Sequence, residues 1–194
     1  MRSERRWVYA GLGVAAIGGA VGLVRLMSAP RVRAGKSRVF LVGDSLAVGL
    51  APHLKALFQE TGVPFAQVSK SGTRLDQWAN SQVLQSKLAE FKPTIILVSL
   101  GTNDEYIPGD AVARQRPYLE ALRDNLVRHG DVAWIGPPTL PKETNGITAM
   151  LKAELPSSHY FASDQLSIPR APDNIHPTAR GYAAWAGSIW RWLS

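Results

Sequence analysis

Four short stretches hold the residues that could do nucleophilic chemistry: Gly43-Asp44-Ser45-Leu46, Ser71-Gly72-Thr73, Gly101-Thr102-Asn103-Asp104 and Asp173-Asn174-Ile175-His176-Pro177. A serine hydroxyl is a poor nucleophile until a base takes its proton, and histidine is the side chain best poised to do so near neutral pH. Ser45 is therefore the candidate nucleophile and His176 the candidate base. Asp173, in the same loop, can reach the His176 ring, fix its tautomer and stabilise the imidazolium. A tetrahedral intermediate also needs donors aimed at its oxyanion. The backbone N–H groups of Ser45 and Gly72 and the side-chain amide of Asn103 could supply three. A side chain at position 72 would crowd that oxyanion, which would explain the glycine. Asp44 and Asp104 read as turn-fixing acceptors, and Arg74, Trp78 and Tyr106 lie close enough in sequence to line the cleft.

Each stretch alone could be a turn. Their joint value depends on the elements that carry them. Apolar runs at Arg38–Gly43, Pro64–Val68, Thr94–Leu100, Val132–Gly136 and His159–Ala162 predict strands. Helical spacing predicts helices over Leu46–Glu60, Leu75–Phe91, Ala111–Arg128, Thr148–Leu155 and Thr178–Leu193. Such alternation argues for a parallel sheet covered on both faces, with chemistry gathered at the carboxyl ends of the strands. Ser45, Gly72 and Asn103 follow the first three predicted strands, and His176 falls in the loop before the last helix.

Composition narrows the function classes. The chain has 194 residues and a net charge of +7. Residues 1–38 hold eight basic residues and one acidic residue, while 39–194 hold fourteen of each sign. A neutral domain lacks the electrostatic footprint of a nucleic-acid binder, so nucleic acid is not an expected partner. There is no cysteine, which excludes disulfides, thiolate zinc sites and a cysteine nucleophile. His53, His129 and His159 read as structural or exposed. Only His176 has a suitable acidic neighbour, which argues against a metallophosphoesterase, and neither a metal nor a cofactor is expected.

The N-terminus reads differently. Trp7 to Val24 carries no charge and just spans a bilayer core of ~30 Å if Leu26 and Met27 contribute. The chain divides into a membrane anchor over 1–27 (or a cleaved signal sequence), a linker over 28–37 and a catalytic domain over 38–194. Membrane, contacted through residues 7–27, is an expected partner. Basic residues ahead of the segment favour export, so that the domain lies in the periplasm or at the cell surface; those behind it count the other way.

The four blocks, in this order, resemble those of the SGNH (GDSL-type) hydrolases over residues 38–194. That resemblance implies a flavodoxin-like three-layer α/β/α sandwich with a central parallel sheet, here preceded by a transmembrane segment. It implies an acyl-enzyme on Ser45, an oxyanion hole of Ser45, Gly72 and Asn103, and a triad completed by Asp173 and His176. Thr102 is a minor departure from the pattern. The nucleophile does not sit in Gly-x-Ser-x-Gly, which disfavours a nucleophile elbow. The expected function is serine ester hydrolysis on a small-molecule or glycan ester, with deacetylation of an envelope carbohydrate as one case. Lysophospholipid or thioester cleavage, acyl transfer from the same acyl-enzyme, and a non-catalytic tethered binding module remain alternatives.

Overall fold

The computed structural model describes residues 29–141 and 145–194. Five parallel strands form one sheet in the order β2-β1-β3-β4-β5: β1 (Val39–Gly43), β2 (Phe65–Ser69), β3 (Ile95–Ser99), β4 (Asp131–Ile135) and β5 (Tyr160–Phe161). The strands β1 and β3 are buried at every position. A strand covered on both faces reads as a continuous apolar run, and VFLV and IILV are such runs.

Side chains alternate across the pleat, so the two faces build two cores. Phe40, Val42, Ile96 and Val98 point to one side. They pack there against α2 (Leu75–Ala79), α3 (Gln82–Phe91), α4 (Ala111–Leu126) and α5 (Ile147–Glu154), through residues such as Leu88, Leu122 and Leu151. Val39, Leu41, Ile95 and Leu97 point to the other, against α1 (Ser45–Glu60) and α6 (Ala179–Leu193), where Leu50, Leu54, Trp185 and Ile189 are fully buried. The result is a three-layer sandwich.

Register sets the site. Gly43 pairs with both Ser69 and Ser99, so β1, β2 and β3 end level. The loops carrying Ser45, Gly72 and Asn103 leave the sheet along one edge.

Two expectations change. The single helix over Leu75–Phe91 is two helices. Ser81 breaks it, because its hydroxyl accepts from Leu84 N–H and starts a new helix at Gln82. The expected membrane span is the second, and no described helix supplies it. Among the described residues no helix is long and apolar enough to cross a membrane. The longest, α1 and α4, have 16 residues, a length of ~24 Å, and each carries a polar face. Residues 7–27, on which the anchor, the membrane partner and the extracytoplasmic location all rested, lie outside the described residues.

Candidate active site

The site begins at the turn from β1 into α1. Gly43 must lack a side chain, since a Cβ there would lie 2.2 Å from the Ser99 carbonyl oxygen. That close approach tucks the turn against β3. Asp44 then caps α1, its Oδ1 accepting from Leu46 N–H at 2.9 Å. Ser45 is the first helical residue, where N–H groups have no intrahelical partner.

The loop before α6 brings the base to it. Ser45 Oγ lies 2.9 Å from His176 Nε2, across 131 residues of sequence. On the other side of the ring, Nδ1 is 2.7 Å from Asp173 Oδ2. With the Nδ1 proton donated to that carboxylate, Nε2 carries the lone pair and the serine hydroxyl donates to it. Asp173 Oδ1 accepts from the N–H groups of Ile175 and His176, both at 2.9 Å. The His176 ring, followed by these N–H groups, holds the Asp173 carboxyl down at about 2. Asn174 sits at φ +58°, which turns the chain tightly enough for Asp173 and His176 to meet.

Arg170 was not singled out from the sequence. Its Nη2 donates to Thr139 O at 2.9 Å and its Nη1 donates to Ile175 O, tying the His176 loop to the segment after β4. Nothing in its sequence neighbourhood marks this role, because both acceptors are backbone carbonyls.

The other two loops meet through Asn103. Its Nδ2 donates to Thr73 O at 2.9 Å and to Asp44 Oδ2 at 3.2 Å. The amide therefore touches the neighbours of both Ser45 and Gly72, but both its hydrogens are engaged. Serving an oxyanion requires it to release or share one, and the longer bond to Asp44 is the weaker. Gly72 is exposed at φ +76°, and a Cβ there would meet no protein atom within 4 Å. Its backbone conformation, not crowding by the protein, is what demands glycine.

Asp44 and Asp104 are fully buried, and burial raises both carboxyls to about 7. Asp104 Oδ1 accepts from Leu75 N–H at 3.1 Å, which couples the loop after β3 to the start of α2. Glu105, next to it, accepts from Ile147 N–H, Thr148 N–H and the Thr148 hydroxyl at the start of α5. These bonds fix the short 3₁₀ turn Asp104–Tyr106 beside Asn103. Trp78 does not line the site. It is buried, and its indole N–H donates to Thr73 Oγ1 at 2.9 Å, bracing the Gly72 loop from beneath. Arg74 and Tyr106 do line a cleft of about 610 Å³ that also includes Gly72 and Asn103. A second cavity, of about 560 Å³, lies at the amino end of β4 beside Asp131, away from these groups. Among the described residues no cluster of His, Asp and Glu could hold a metal ion.

A family model described as protein of unknown function (DUF459) matches residues 38–151, more than half of the chain. The chain belongs to the DUF459 family. The matched span holds Ser45, Gly72 and Asn103 and stops short of Asp173 and His176. No curated protein matches it. Among solved structures, this DUF459 chain is similar to the acetyl xylan esterase AlAXEase, at 12% identity and TM-score 0.65, over 81% of this chain and 100% of that one. It is similar to LAE5, described as an alpha/beta hydrolase enzyme from the metagenome of Lake Arreo, Spain, at 18% identity and TM-score 0.62, over 83% and 96% of the two chains. It is also similar to catalytic mutants of Axe2, an acetylxylan esterase from Geobacillus stearothermophilus; one has 14% identity and TM-score 0.59, over 84% and 96%.

These matches correct the family and fold expectations. The family shown is DUF459, in place of the SGNH (GDSL-type) family that the motifs resemble, and the fold is a three-layer α/β/α sandwich with a parallel sheet and no membrane span among the described residues. The physical reason is that motifs at strand ends report chemistry. A serine, a histidine and a carboxylate converge on unrelated scaffolds, so their presence does not fix a lineage.

Proposed function

We propose that this DUF459 chain is a serine hydrolase that acts through an acyl-enzyme, with acetylated carbohydrate as its substrate class. One observation carries the reading: His176 bridges Ser45 at 2.9 Å and Asp173 at 2.7 Å. The Ser45 hydroxyl gives its proton to His176 Nε2 as Oγ bonds to the ester carbonyl carbon. The carbonyl π electrons move to oxygen, where the N–H groups of Ser45 and Gly72 and a released Asn103 amide hydrogen would hold the charge. As the C–O bond to the sugar breaks, His176 returns the proton to the leaving alkoxide. Water then repeats the sequence on the acyl-Ser45 ester, releasing acetate and free serine.

Support for a carbohydrate ester comes from two sides. The site is open, with the His176 and Asp173 side chains 39% and 48% exposed, so a substrate far larger than its acyl group can approach. Structures similar to this one are described as acetyl xylan esterases, and catalytic mutants of Axe2 fall at a serine, an aspartate and a histidine. The test is a panel of p-nitrophenyl esters of rising chain length beside acetylated xylan. Hydrolysis should be fastest for acetyl esters, and Ser45→Ala should lower kcat by ~10⁴-fold or more with the fold intact. A serine-directed phosphonate should label Ser45. An active Ser45→Ala variant, or labelling elsewhere, would overturn the reading.

A further inference from the structure

We infer that the cleft beside Asn103 is a subsite for an anionic sugar, held by Arg74 and Arg114 and flanked by the rings of Tyr106 and Tyr118. The inference rests on the ester hydrolase reading above and narrows its substrate to acyl esters of acidic glycans, such as those with uronic acid units.

The cleft adjoins the groups proposed to hold the oxyanion, because Gly72 and Asn103 line it. Its lining also carries a net positive charge, although the domain as a whole does not. Residues 39–194 balance to zero, yet this one cleft holds two arginines against one half-buried carboxylate, Asp76. Arg74 reaches Asp76 only at 3.4 Å, and its side chain remains 43% exposed. Arg114 pairs with no carboxylate among the described residues. Its Nη1 donates to the Pro108 carbonyl at 3.2 Å, which holds the guanidinium in place and leaves most of its donors free. A planar donor fork fixed beside a cleft suits a carboxylate, which it can meet with two parallel bonds.

Two further features point to a sugar. Tyr106 is 44% exposed and Tyr118 38% exposed, and both line this cleft. They are two of only five large apolar side chains left exposed among the described residues. Tyrosine offers a flat apolar face for the C–H side of a pyranose and a hydroxyl for its polar rim. In the same lining Gln115 is 4% exposed and its Oε1 has no hydrogen-bond partner. A buried acceptor without a partner is uncommon, and a modest rotation of the amide towards the cleft would present it to a sugar hydroxyl.

The test compares two acetylated methyl glycosides that differ only at C6, a glucuronide and a glucoside. The acidic ester should have a kcat/KM about tenfold higher, with the difference in KM, and the preference should shrink in about 0.5 M NaCl. Arg114→Gln and Arg74→Gln together should bring the ratio near one, while Arg114→Lys should retain most of it. In parallel, calorimetry should show an unacylated uronic acid trisaccharide binding more tightly than a neutral one. A ratio of one in the wild type, or a ratio that the double variant leaves unchanged, would overturn the inference while leaving ester hydrolysis standing. If no ester were hydrolysed, the hydrolase reading would fall, and the trisaccharides alone would decide the subsite: equal affinity for both would overturn it.

Discussion

Replacing Asp104 by asparagine should remove a pH dependence from the stability of the fold. Asp104 is fully buried, with one oxygen on Leu75 N–H and the other, Oδ2, without a partner. Burial raises its carboxyl from 3.8 to about 7. Because the folded state holds the proton more tightly than the unfolded chain, the stabilisation is complete below pH ~4 and is lost as pH rises through about 7. At about 1.4 kcal/mol per pH unit, the native state loses on the order of 4 kcal/mol across that window from this one group. Asparagine keeps an oxygen for Leu75 N–H and cannot ionise. Urea unfolding at half-unit pH steps should therefore give similar stabilities for wild type and Asp104→Asn near pH ~4. By pH 8 the variant should be the more stable by a few kcal/mol, with 4 as an upper figure. Asp44 is raised to about 7 by its own burial and continues to titrate in the variant, so a slope should persist, reduced by about one proton. Parallel stability curves for the two proteins from pH 5 to 8 would show that the buried charge costs nothing, and the reasoning would fail.

Asn103→Ala should lower kcat by ~10²–10³-fold, about 3–4 kcal/mol, with KM little changed, if the amide turns from Asp44 to the oxyanion during reaction. A loss of stability without a selective fall in kcat would mean that it only joins the two loops. Gly72→Ala should cost ~1–2 kcal/mol in unfolding free energy, since φ +76° strains any L residue while its Cβ meets only open space; an unchanged melting temperature would contradict that. Asp173→Asn should lower kcat by ~10²–10⁴-fold through the wrong histidine tautomer. Since His176 holds the Asp173 carboxyl at about 2, the charged form persists through the usual carboxylate range and is lost only as pH falls through about 2. An acid limb of the wild-type rate profile should therefore not come from Asp173. A limb that moved with substitutions at 173, and not at 176, would show otherwise.

The chemistry was more legible in the sequence than the lineage or the surroundings. Ser45, Asp173 and His176 could be paired because nucleophile, base and carboxylate leave a small set of residue types, and strand ends give them one edge. The break in the second predicted helix was harder to see. Leu75, Trp78 and Ala79 and then Leu84 and Leu88 keep an apolar rhythm through the interruption, and only the capping hydroxyl of Ser81 restarts the helix. Trp78 was misplaced for a related reason. Sequence proximity to the Gly72 loop suggested the cleft, but a helix turns successive side chains to different sides, and Trp78 faces the core. Arg114, Gln115 and Tyr118 escaped notice because they enter the cleft from α4, ten or more residues past the nearest motif. Arg170 escaped because its partners are carbonyls that every residue possesses.

The buried acids explain why the site has the form it does. Asp44 and Asp104 are each a poor choice for stability above pH 7, and hydrophobic residues of similar size would avoid the cost of burying a carboxyl. Each instead joins segments that would otherwise be independent. Asp44 caps the helix that presents Ser45 and accepts from Asn103; Asp104 holds Leu75 N–H and so the far end of the Gly72 loop. Three loops from three strands are thereby locked around one point through two carboxylates and one amide. Catalysis in a site built from these loops would need that precision more than it needs stability. The arrangement would also couple the loop-joining bonds of Asn103 to the oxyanion role proposed for it. An ionised Asp44 attracts the Asn103 amide, and a protonated one does so less, so the freedom of that amide to serve an oxyanion depends on the state of a carboxyl that changes near pH 7. If this coupling operates, Asp44→Asn should shift the pH dependence of kcat as well as its size. A variant with lower kcat and an unmoved profile would leave Asp44 as a helix cap alone.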